Sequence, residues 1–87
     1  MLKDITEVRH LGGHRLFLRF EDGVEGAIDL ASSLTFEGIF EPLRDARHFA
    51  EVSVNREIGT VVWPNGADLD PDVLYALVRG LALPVAS

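Results

Sequence analysis

The stretch Trp63-Pro64-Asn65-Gly66-Ala67-Asp68-Leu69-Asp70-Pro71-Asp72-Val73-Leu74-Tyr75 decides the fold. It reads as a strand end, a tight turn and the start of an apolar helix. Asn65-Gly66 is turn chemistry, because both residues tolerate backbone conformations that a strand or helix interior excludes. Asp70 is placed as an N-cap, its carboxylate able to accept from exposed backbone N–H groups of the first turn. Pro71 then occupies the first helical position, where its missing N–H costs no hydrogen bond. Asp68, Asp70 and Asp72 gather near the positive end of the helix dipole, worth about 0.3–1 kcal/mol each where close. The helix is expected from Pro71 to about Arg79 or Gly80, since Pro84 rules out much extension.

That helix is unusually apolar. Leu74, Leu77, Val78 and Leu81 line one side, while Val73, Tyr75 and Ala76 carry apolar surface around to the others. From Val73 to Leu83 its only charge is Arg79. A helix apolar on more than one face must be buried on more than one face. In a domain this small, that points to contact with another chain.

Working backwards, Thr60–Trp63 and Glu51–Asn55 read as two short strands around the turn Arg56-Glu57-Ile58-Gly59. Ile39–Arg44 looks like a short helix with Pro42 in its first turn, anchored by Phe40, Leu43 and Phe49. Leu30–Leu34 fits either a helical turn or a loop. The first third alternates: Leu16, Leu18 and Phe20 fall on one face of a strand, Arg15, Phe17 and Arg19 on the other. With Ile5–His10 before Gly12-Gly13, and Val24–Asp29 after the turn Glu21-Asp22-Gly23, this makes a three-strand meander. The expected class is α+β: an antiparallel sheet of about five strands, comprising meander, short helix and hairpin, with a C-terminal helix packed on it.

Eighty-seven residues make one domain, 1–87. With no cysteine, a disulfide framework and a thiolate metal site are both excluded. Hydrophobic residues form 47% of the chain, at the upper end of the soluble range, which again suggests apolar surface covered by a partner. A symmetric homodimer is the expected solution, being the commonest closed assembly. The net charge is −6, and the basic residues are scattered, so nucleic-acid binding by this chain alone is not expected. The N-terminus lacks the apolar core of a signal peptide, and no apolar run reaches the roughly 18 residues that span a bilayer. A cytoplasmic location without membrane contact is the default expectation.

No residue set specifies a reaction. Asp68, Asp70 and Asp72 alternate as in a calcium loop, but such a loop would need glycine at position 73 and glutamate at 79, where this chain has Val73 and Arg79. His10 and His14 flank a turn, yet spacing supplies no third metal ligand, and His48 stands apart. None of Ser32, Ser33, Thr35, Ser53 and Thr60 lies in a nucleophile elbow. Asp22 with Asp29, and Glu21 with Glu25, are pairs that a hairpin can bring opposite each other, more simply read as solvated charges. Trp63, Asn65 and Tyr75 are placed to line a groove where the last strand meets the last helix, or Trp63 fills the core while Asn65-Gly66 turns the chain. Whether Trp63–Pro64 is cis stays open.

The chain resembles domain-of-unknown-function family 2442. The resemblance rests on Leu16-Phe17-Leu18-Arg19-Phe20-Glu21-Asp22-Gly23, Asp29-Leu30, Phe40-Glu41-Pro42-Leu43-Arg44-Asp45, Phe49 and Glu51-Val52-Ser53-Val54-Asn55. Gly59-Thr60-Val61-Val62-Trp63-Pro64-Asn65-Gly66-Ala67-Asp68-Leu69-Asp70-Pro71, followed by Leu74-Tyr75, is the most specific part. It implies a bacterial α+β domain for which no catalytic mechanism is established. Some members are fused to a C-terminal helix-turn-helix domain, which is not expected in a sequence ending at Ser87. Others are encoded beside a second small protein, in an arrangement similar to toxin–antitoxin pairs. The expectation is therefore a protein-interaction module, an accessory or antitoxin-like partner of a small neighbouring protein. It has no catalytic residue, cofactor or metal, and its candidate surface is Trp63, Asn65, Tyr75, Leu74, Leu77, Val78 and Leu81. The alternatives are a ligand-sensing or accessory domain in transcriptional regulation, and an unrecognised small enzyme.

Overall fold

Alternation in the first third of the chain produces a three-stranded antiparallel meander. A computed structural model of the protein describes residues 3–80. In it β1 spans Ile5–Gly12, β2 Arg15–Phe20 and β3 Glu25–Asp29, ordered β1-β2-β3. The register aligns Val8, Leu18 and Gly26 across the sheet, and beside them His10, Leu16 and Ile28. This row faces the core, where Leu16 and Leu18 are wholly buried. Because side chains alternate along a strand, the neighbouring residues form the outer face. There Arg19 lies between Glu7 at 3.3 Å and Glu25 at 2.7 Å, and the Arg9 guanidinium covers the Phe17 ring at 4.6 Å. The two carboxylates hold the Arg19 guanidinium above its ordinary pKa, with the Glu25 hydrogen bond the larger cause.

The middle of the chain departs from the expected single short helix. Leu30–Leu34 is a turn, with the Leu34 N–H donating to the Leu30 carbonyl at 3.0 Å. Gly38–Arg44 is a 3-10 helix that carries Pro42 in its interior rather than in a first α-helical turn. The tighter winding suits a segment with one backbone donor missing, and such helices run only in short pieces. A separate helix follows unforeseen: α1, Ala46–Phe49, capped by the Asp45 carboxylate accepting from the Arg47 N–H at 2.8 Å. Its purpose is positional. It delivers Phe49, fully buried, to the middle of the core.

β4 (Ser53–Asn55) and β5 (Thr60–Val62) form the expected hairpin, but as a two-stranded sheet of their own. The strands are thus divided between two sheets instead of joining one. Both strands lie against β1, and their turn is bonded to it: the Ile5 N–H donates to the Gly59 carbonyl at 2.9 Å. One such bond at a turn ties the edge of β1 down without extending a ladder.

The last helix, α2, spans Pro71–Arg79. Asp70 caps it as expected, its carboxylate accepting from the Asp72 N–H at 2.8 Å. Gly80 ends it at φ 71°, a left-handed cap that favours glycine. On β3, Gly26 lets the helix approach closely: a Cβ there would lie 3.1 Å from the Val78 Cγ1. The Tyr75 ring meets Phe20 edge-on at 4.9 Å, and Leu74 enters the core with 1% exposure. Among the described residues, no helix is long and apolar enough to cross a membrane.

Candidate functional site

The junction read as a possible groove is filled. Trp63 is 3% exposed, its ring 5.4 Å from that of Phe49, and its indole N–H donates to the Phe49 carbonyl at 2.8 Å. A buried indole with its one donor satisfied is a core residue. Asn65 is exposed, yet both ends of its amide are used inside the chain. Nδ2 donates to the Ile39 carbonyl at 2.8 Å, and Oδ1 accepts from the Ala67 N–H at 3.1 Å. The Trp63–Pro64 bond is trans. Of the residues expected at an interaction surface, Trp63 and Leu74 are therefore corrected to core positions. The reason is α1: by presenting Phe49, it gives the indole a partner that sequence periodicity did not reveal.

An apolar groove does run along one flank of α2. Val73 and Leu77 are half-buried and, with Leu74, form one wall of a groove of about 180 Å³. The opposite wall is Leu30, Ser33 and Leu34 from the turn after β3, and Leu69 and Asp70 close the end. Val78 and Tyr75 lie on the other flank, against β3 and Phe20. Leu81 lies outside the described residues. Two sides of the helix thus find partners within the chain, and this lessens its demand for a second subunit. Among the described residues, what remains open is the groove.

Tyr75 has a role the sequence did not disclose. Its hydroxyl donates to the Asp22 carboxylate at 2.6 Å, joining α2 to the β2–β3 turn across 53 positions of sequence. That hydrogen bond, followed by one from the Val24 N–H, holds the Asp22 carboxyl below the ordinary aspartate range. Only the fold pairs these two residues, since a turn aspartate is ordinarily solvated.

The remaining chemical candidates are dispersed. His10 bonds its Nε2 to the Gly13 carbonyl at 2.8 Å, and His14 its Nε2 to the Leu43 carbonyl at 2.8 Å. Both rings pack beside Phe49, with centroids 6.0 and 4.8 Å away. His48 lies 3.6 Å from Glu51 on the surface. Neither hairpin pair of carboxylates meets across its strands: β2 sets Arg19 opposite Glu25 and Arg15 opposite Asp29. Asp70 is committed to capping, and among the described residues no three His, Asp or Glu side chains are grouped to hold a metal. A wide depression of about 510 Å³ beside Glu41, Pro42, Arg44, Asp45 and His48 is an open surface. Asp45 in it is held below the ordinary range by the Arg47 backbone N–H it caps.

A protein-family model, described as a protein of unknown function (DUF2442), matches residues 5–80. The match takes in every strand and helix described above. No curated protein and no solved structure matches the chain.

Proposed function

The chain belongs to the DUF2442 family, and on that premise we propose that it is a protein-interaction module without catalytic activity, an accessory or antitoxin-like partner of a small neighbouring protein. The observation that carries this reading is the groove beside α2, an apolar channel with Val73 and Leu77 half-exposed in its wall. Grooves of this kind commonly seat an apolar side chain of a partner. The polar inventory supports the same reading. Among the described residues, the groups with shifted pKa values are Arg19, Asp22 and Asp45; all three are surface residues, and the largest cause of each shift is a hydrogen bond. Catalytic groups are instead expected to converge in one cleft.

The alternative of a ligand sensor calls for a pocket near Trp63 and Tyr75. Trp63 is in the core, and the apolar groove is smaller than the roughly 300–1,000 Å³ of ordinary small-molecule sites. A protein partner fits these observations better. The test is co-expression with the protein encoded beside this one, followed by affinity purification and light scattering. A stoichiometric complex is expected, and two proteins that never co-purify would count decisively against the reading.

A further inference from the structure

We propose that the groove between α2 and the Leu30–Leu34 turn receives an apolar side chain from a positively charged segment of the partner protein. The inference rests on the interaction-module reading and adds the chemistry of what is bound. Size comes first. An engineered apolar cavity of about 150 Å³ holds a benzene-sized molecule, so a groove of about 180 Å³ takes one large aliphatic or phenyl side chain.

Charge decides what surrounds that anchor. Among the described residues, no lysine, arginine or histidine lines the groove, whereas Asp70 does. Leu69, in the same wall, stands between Asp68 and Asp70, and Asp72 follows within the first turn of α2. Among the described residues, four surface carboxylates elsewhere have a basic partner: Glu7 and Glu25 with Arg19, Asp45 with Arg47, Glu51 with His48. Among the described residues Asp68, Asp70 and Asp72 enter no such pair. The N-terminus of α2 offsets them only in part, contributing about half a positive charge against three carboxylates. The end of the groove at Asp70 is therefore negative, and the whole chain carries −6. A second copy of this chain would bring the same negative field to the contact, so like charge disfavours it. A segment with lysine or arginine flanking an aliphatic residue is complementary in both respects.

The test uses three synthetic peptides on the full chain: one alternating lysine with leucine, a second with glutamate replacing lysine, and a third with serine replacing leucine. Binding is followed through the methyl NMR signals of Leu30, Leu34, Val73 and Leu77. The lysine–leucine peptide is expected to move these signals and to bind at least tenfold more tightly than either control. Ser33→Trp, which alters an exposed side chain in the groove wall, is expected to remove the response while the protein stays folded. Asp70→Asn keeps a capping side chain but loses the charge. It is expected to weaken binding about two- to fivefold, an effect that fades at high salt.

Equal affinity for the lysine and glutamate peptides would overturn the charge argument and the proposal with it. So would methyl shifts lying outside the groove, or shifts that follow protein concentration without peptide, which would seat a second copy there. If the neighbouring protein co-purifies equally well with the Ser33→Trp variant, the interaction reading stands and the groove proposal falls.

Discussion

Two regions of this small protein are built from similar residues and finished differently. At the Trp63 junction the indole packs on Phe49, its N–H is bonded, and the adjoining Asn65 satisfies two backbone groups. Beside α2, Leu30, Leu34, Val73 and Leu77 face one another across a gap. The first region is closed because α1 was placed to fill it. Among the described residues, the second has walls and no filling. That contrast separates the residues that hold the fold from those that the proposed reading offers to a partner.

The contrast is easiest to break at the closed end. Trp63→Ala removes the indole from a tightly packed site and is expected to destabilise the protein by about 3–5 kcal/mol in chemical denaturation. A loss below about 1 kcal/mol would mean that the junction is not the centre of the core. Along α2 the two flanks should differ. Leu74→Ala, at a fully buried site, is expected to cost about 2–5 kcal/mol. Val73→Ser, at a half-buried position on the groove wall outside the core cluster, should cost less than Leu74→Ala, about 1 kcal/mol. Equal losses at the two positions would erase the distinction between core flank and open flank.

A smaller effect tests the start of the helix. Asp70→Ala is expected to cost about 1 kcal/mol and Asp70→Asn only a few tenths, because asparagine caps nearly as well. The same pair of variants checks that the peptide experiment measures charge and not unfolding. The smallest effect concerns pH. With its hydroxyl bond to Tyr75, Asp22 has a folded pKa below the unfolded value of about 3.9. The stabilisation is therefore present above that value and is lost as pH falls through the folded pKa. Tyr75→Phe should lower the urea midpoint slightly near neutral pH and match the parent protein in strong acid. A difference that persists unchanged into acid would assign the effect to packing on Phe20.

Much of this was legible in the chain. The meander, the hairpin, the Asp70 cap and α2 all follow from alternation, turn residues and the Asp-Pro start. What stayed hidden was set by tertiary partners. The Asp45 cap is a local sign of a helix over Ala46–Phe49, but it does not reveal that this turn sets Phe49 beside Trp63, so the core and groove readings of Trp63 both stood. The Tyr75–Asp22 bond spans most of the sequence and leaves no periodic trace. The open flank of α2 was only half legible. Its excess apolarity is plain in the sequence, but that the Leu30–Leu34 turn forms the facing wall depends on how the chain crosses back after β3.

The most direct measurement of the central claim is co-purification of the neighbouring protein with the parent chain and with Ser33→Trp, each first shown to be folded. The account expects a stoichiometric complex with the parent chain and its loss with the variant. Retention of the complex by Ser33→Trp, at undiminished affinity, would contradict the claim that the α2 groove is the contact face.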